Sequence, residues 1–142
     1  MHVSTFDDQR TGLGVIARNT LYAVVTVLVL NVIVYFVSDA AGWIPETLPD
    51  SAEAFGLVPV ILYSVVPLLL GGGLLALLCR WTNHPVIMFA LIAAVVFIAS
   101  LVAPLSLAGA STSFKLVLVA MHMITAAVGT AILLWNVADE PE

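Results

Sequence analysis

The sequence predicts an all-α integral membrane protein, a four-helix up-down bundle. Three observations predict it. Hydrophobic residues make up 62% of the chain and charged residues 9%, where soluble domains carry roughly 45–50% and about 25%. The apolar residues fall in four long runs, and the charges sit in the tails, between the runs or at their rims. A helix needs roughly 20 apolar residues to cross the hydrocarbon core, so four crossings nearly exhaust the chain as a single transmembrane domain.

The first run, Thr20 to Val37, predicts helix one over about 19–38. It is longer than a signal-peptide core, and Asp7 and Asp8 beside Arg10 make a poor leader, so an uncleaved helix is expected. A loop over 38–54 follows, carrying Asp39, Glu46, Asp50 and Glu53 and no Lys or Arg, with Gly42, Pro45 and Pro49 as breakers. Asp50 and Glu53 have the spacing of a capping box for helix two, expected over about 55–79. Pro67 cannot donate to the Tyr63 carbonyl, which predicts a kink. Gly71-Gly72-Gly73 fits close helix approach; no strand precedes it and no Lys follows, so it is no phosphate loop. Gly72 and Ala76 form a small-xxx-small pair expected to pack on helix three through Ala90, Ala94 and Ala99. Pro85 suits the first position of helix three, about 85–107, with Asn83 or His84 as cap. Ser113 is the expected cap of helix four, about 114–137, before an acidic tail. Trp43, Trp81 and Trp135 fall at helix ends, where interfacial anchors belong. Cys79, the one cysteine, ends a run and reads as a small buried hydrophobe.

Orientation follows from the basic residues. Arg10, Arg18 and Arg80 share one side with both termini, and only Lys115 lies opposite. The positive-inside rule makes that side cytoplasmic, so a cell-membrane protein with cytoplasmic N- and C-termini and an acidic outer loop is expected.

Several functions are excluded by missing groups. Helix one carries no acidic residue in its core, as a small multidrug exporter requires. A single cysteine cannot serve a thiol oxidase or a quinone-linked reductase, and no buried acid is available for a Ser-His-Asp hydrolase. The chain has no basic patch, so no nucleic acid is expected as partner. No cofactor and no metal are expected: Met121 and Met123 point about 100° away from His122, and His84 lies ~22 Å from it along the bundle.

What remains is a set of uncharged polar residues. Asn31 lies seven residues before Ser38, His122 seven after Lys115, and Ser100 seven before Leu107. At 1.5 Å per residue each is ~10 Å below the outer rim, and Ser64 is at ~13 Å. Asn31, Tyr63, Ser64, Ser100, His122 and Thr125 therefore define a polar layer, either packing glue or a ligand or proton site. Asn31 and His122 are expected to face inward within direct or one-water reach, with Ser100 or Tyr63 nearby.

Asn31-Val32-Ile33-Val34-Tyr35 followed by Ala41-Gly42, the stretch from Pro67 to Trp81, and Lys115-Leu116-Val117-Leu118-Val119-Ala120-Met121-His122 resemble a prokaryotic family of small four-helix membrane proteins known as a domain of unknown function, six-zero-six-nine. The resemblance implies four helices over nearly the whole chain and no catalytic residue.

Function is then expected to be non-enzymatic: a structural or accessory subunit, or a binder of a small hydrophobic ligand. The alternative is a small homo-oligomeric transporter or channel built around the polar layer, and a remote one an enzyme with His122 as base. The lipid bilayer is the expected partner, with a second copy or another membrane protein beside it.

Overall fold

The computed structural model describes residues 4–48 and 55–137. Five helices follow in order: α1 (Ser4–Ala40), α2 (Leu57–Trp81), α3 (Pro85–Ser100), a short α4 (Val102–Ser106) and α5 (Thr112–Leu133). α3 and α4 make one span, so four helices are long and apolar enough to cross a bilayer: Gly12–Ala40, Leu57–Trp81, Pro85–Ser106 and Thr112–Leu133. No strand occurs among the described residues. α1 packs on α2 and α5, and α3 packs on the same two from the other side, so the spans close an up-down ring.

Several boundaries differ from those read in the sequence, each for a local reason. α1 begins at Ser4 rather than about residue 19. Ile16 and Asn19 are buried, so packing carries the helix past its apolar run. It ends at Ala40 in a Schellman arrangement: Trp43 N–H donates to the Ser38 carbonyl and Gly42 N–H to that of Asp39. Gly42 has φ +72°, which a residue without Cβ adopts freely. The proposed capping box at Asp50 and Glu53 lies outside the described residues. α2 runs through Pro67 without a break, and Pro85 opens α3 with His84 as N-cap. The third span pauses at Leu101 because Pro104 has no N–H for the Ser100 carbonyl and its ring crowds that oxygen. Ser111, not Ser113, caps α5, its hydroxyl accepting from Phe114 N–H at 3.2 Å.

Glycine packing also corrects the expectation. Gly72 faces α1, where a Cβ would meet the side chain of Thr20. It is Gly71 that lies near Phe89 of α3 and Leu133 of α5. Ala76 packs against the core, but Ala90, Ala94 and Ala99 are exposed. Cys79, expected to be buried, is exposed as well.

The core falls into two apolar clusters. One, toward the Trp81 end, holds Ile16, Ala23, Val27, Leu68, Leu75, Phe89 and Leu133. The other, toward the Trp43 end, holds Val60, Val117 and Met121, with Tyr35 and Phe55 beside it. Phe55 stacks edge-on against Phe114 at 5.2 Å between centroids, tying the start of α2 to the start of α5. α3 buries only Pro85 and Phe89 and adds Ala93 to the edge of the core, so the bundle is chiefly a three-helix packing of α1, α2 and α5 with α3 at its flank.

Candidate functional site

Between the two clusters lies a polar node. Asn31 of α1 is 2% exposed and Ser64 of α2 1% exposed, and Thr125 of α5 completes the group. The Asn31 amide Nδ2 donates to Ser64 Oγ at 2.8 Å and to Thr125 Oγ1 at 3.0 Å. Thr125 Oγ1–H in turn donates to the Met121 carbonyl, one turn back on α5, at 2.9 Å. One amide thus joins three helices at one depth. The heptad-like spacing of the buried residues puts it there: Ala23, Val27 and Asn31 share a face of α1, and Val60, Ser64 and Leu68 a face of α2.

The orientation of the amide is assigned from its hydrogen-bond partners. As placed, both amide hydrogens are used. Exchanging the two atoms would strand both N–H donors and set the amide oxygen against a Thr125 hydroxyl already committed to the Met121 carbonyl; as placed, Oδ1, fully buried, and the Ser64 hydroxyl hydrogen lack partners. None of these three side chains ionises, so the node can neither give nor take a proton.

The other residues of the proposed layer do not join it. His122 Nδ1 donates to the Leu118 carbonyl at 2.7 Å, within its own helix. It lies three residues from Thr125, hence about 60° round the helix, and no hydrogen bond links it to Asn31. Ser100 Oγ donates to the Phe97 carbonyl at 2.7 Å. Tyr63 is 75% exposed and points away from the bundle. Residue counts put Asn31 and Ser64 at one level, as their hydrogen bond requires, but the direction each side chain takes depends on which helix face turns inward.

A second polar contact was missed. Asn19, 3% exposed, donates from Nδ2 to the carbonyls of Trp135 at 2.6 Å and Leu133 at 3.3 Å. It thereby takes up carbonyls that the end of α5 leaves without helical donors. Next to them Asn136 sits at φ +58°, the left-handed position where asparagine is tolerated. In the sequence Asn19 stands just before the apolar run; the signal available was its place four residues before Ala23, on the stripe that leads to Asn31.

Two surface grooves flank α5. The first, about 300 Å³, is lined by Val34, Ser38 and Trp43 on one side and Ser113, Leu116, Val117 and Ala120 on the other. The second, about 410 Å³, runs between α3 and α5 and is walled mostly by alanines. Neither is lined by Asn31, Ser64 or Thr125. Trp81 and Trp135 are 74% and 64% exposed at the opposite end from Trp43. Among the described residues no three His, Cys, Asp or Glu side chains converge as metal ligands would.

The model of a family of unknown function, DUF6069, matches residues 11–138. The chain belongs to that family. No curated protein and no solved structure matches it. Four apolar helices and this membership describe a membrane protein of a family whose function is open.

Proposed function

We propose that the protein is a non-enzymatic membrane component that works by binding, as an accessory or structural subunit, rather than by conversion or transport. The observation that carries this reading is the node. The two amide hydrogens of Asn31 and the hydroxyl hydrogen of Thr125 are spent on holding α1, α2 and α5 in register, which leaves one buried acceptor, Asn31 Oδ1, and the Ser64 hydroxyl hydrogen. A transport site needs polar groups that a solute can engage in turn, and a general base needs a titrating group at the site. The peripheral position of the third span supports the same reading, since a span that buries only Pro85, Phe89 and Pro104, with Ala93 packed on the core, leaves most of its surface for other contacts. On this reading both termini are cytoplasmic and the partner is another membrane protein or a second copy.

The single feature favouring the transporter alternative is Asn31 Oδ1, a buried acceptor with no donor. One experiment separates the two. The purified protein is reconstituted into proteoliposomes, and flux of protons, monovalent cations and a panel of small solutes is measured against empty vesicles. The accessory reading expects no excess flux. In cells, a photo-crosslinker placed at Ala94 of α3 should give a discrete adduct, while one at Leu62 on the exposed face of α2 should give none. Excess flux that disappears in Asn31→Leu would establish the transporter instead.

A further inference from the structure

The groove between α1 and α5 at the Trp43 end has features that the helix packing does not use. Ser38 is 3% exposed, and its backbone carbonyl is taken by Trp43 N–H. Its hydroxyl has no hydrogen-bond partner among the described residues, and it lines the groove. Ser113 lines it from the other side. Below them the walls are Val34, Leu116, Val117 and Ala120, all apolar, enclosing about 300 Å³. A hydroxyl without an acceptor, carried by a residue otherwise 3% exposed and reaching an apolar slot, is matched by a ligand with a polar head and a hydrocarbon body.

The surrounding charge narrows the head group. α5 starts at this groove, and its first-turn N–H groups at Thr112 and Ser113 have no helical acceptor, which favours a negative group there. Asp39, next to Ser38, is exposed and favours a positive one. Lys115, the basic residue at this end, is turned the other way, its Nζ donating to the Leu105 carbonyl at 3.3 Å. The Trp43 ring lies in the wall at the end of α1, the level that suits an amphipathic side chain among lipid head groups. We propose that this groove is a binding site for one zwitterionic phospholipid. Its phosphate lies at the start of α5 and on the Ser38 and Ser113 hydroxyls, its ammonium lies toward Asp39, and one acyl chain lies along Val34, Leu116, Val117 and Ala120. The site is separate from the node and does not depend on a protein partner.

The test is native mass spectrometry of the full chain released from nanodiscs holding equal phosphatidylethanolamine and phosphatidylglycerol. The wild type should retain a single phosphatidylethanolamine after mild delipidation. Ser38→Val should lower its occupancy about fivefold, the equivalent of one hydrogen bond of about 1 kcal/mol. Leu116→Trp, which fills the groove from a position already 62% exposed, should abolish it without unfolding the bundle. Val58→Trp, on the exposed face of α2, should leave it unchanged. Circular-dichroism melts of each variant confirm the fold, so that if Ser38→Val fails to fold, Leu116→Trp decides. Equal retention of the two lipids, no retained lipid on the wild type, or full retention by Leu116→Trp would overturn the proposal.

Discussion

Neighbouring glycines in α2 make opposite demands, and alanine at each tests how α1 and α2 meet. At Gly72 an added Cβ would come 2.9 Å from Thr20 Cγ2 and 3.1 Å from Thr20 Cβ, and closer still to Oγ1. Thr20 cannot swing aside freely, because its hydroxyl donates to the Ile16 carbonyl at 2.8 Å. Overpacking of this kind costs about 1–3 kcal/mol, and the better helix propensity of alanine returns about 1 kcal/mol, so Gly72→Ala should lose about 1 kcal/mol net. At Gly73 nothing lies within 4 Å of the added carbon. Gly73→Ala should therefore gain about 0.5–1 kcal/mol. The two variants differ by one position and one methyl group each, yet should separate by about 2 kcal/mol in opposite directions. Reversible unfolding in mixed micelles, followed by circular dichroism, measures both. Adding Thr20→Ala to Gly72→Ala should recover most of the loss, whereas Thr20→Ser, which keeps Oγ1, should recover less. If Gly72→Ala is as stable as Gly73→Ala, the helices do not approach at Gly72 and the α1–α2 packing described above is wrong.

Asn31→Leu should cost about 0.5–2 kcal/mol by the same assay, the range for hydrogen bonds between membrane helices; a stabilised variant would mean that the node is not intact in the bilayer. Asn19→Leu should speed amide exchange in the last turn of α5 selectively, because the Leu133 and Trp135 carbonyls lose their donor; unchanged protection there would remove the clamp. For topology, Cys79→Ser provides a cysteine-free background, and single cysteines at Ser51 and Thr82 are labelled from outside intact cells. Labelling at Ser51 alone is expected from the positions of Arg10, Arg18 and Arg80, and labelling at Thr82 alone would reverse the orientation.

What the sequence determined by itself was the number of spans, their approximate limits and the common level of Asn31 and Ser64. Those follow from one-dimensional quantities: the length of an apolar run against the thickness of a bilayer, and a residue count times the helical rise. The direction of each helix was not determined that way. In water the inward face is the apolar one and announces itself by periodicity, but in lipid both faces are apolar. The inward stripe is then marked by small and polar residues. On α1 that stripe runs through Asn19, Ala23, Asn31 and Ser38. Read along the chain, Asn19 stood just before the apolar run and Ser38 at its end, and Gly72 was expected to face helix three. Tertiary structure decided these points because a hydrogen bond or a close backbone approach is a relation between two helices. Asn31 meets Ser64 and Thr125, Gly72 admits Thr20, and Asn19 reaches the end of α5. Each pairing depends on the rotation of both partners about their axes, a quantity that neither segment contains alone.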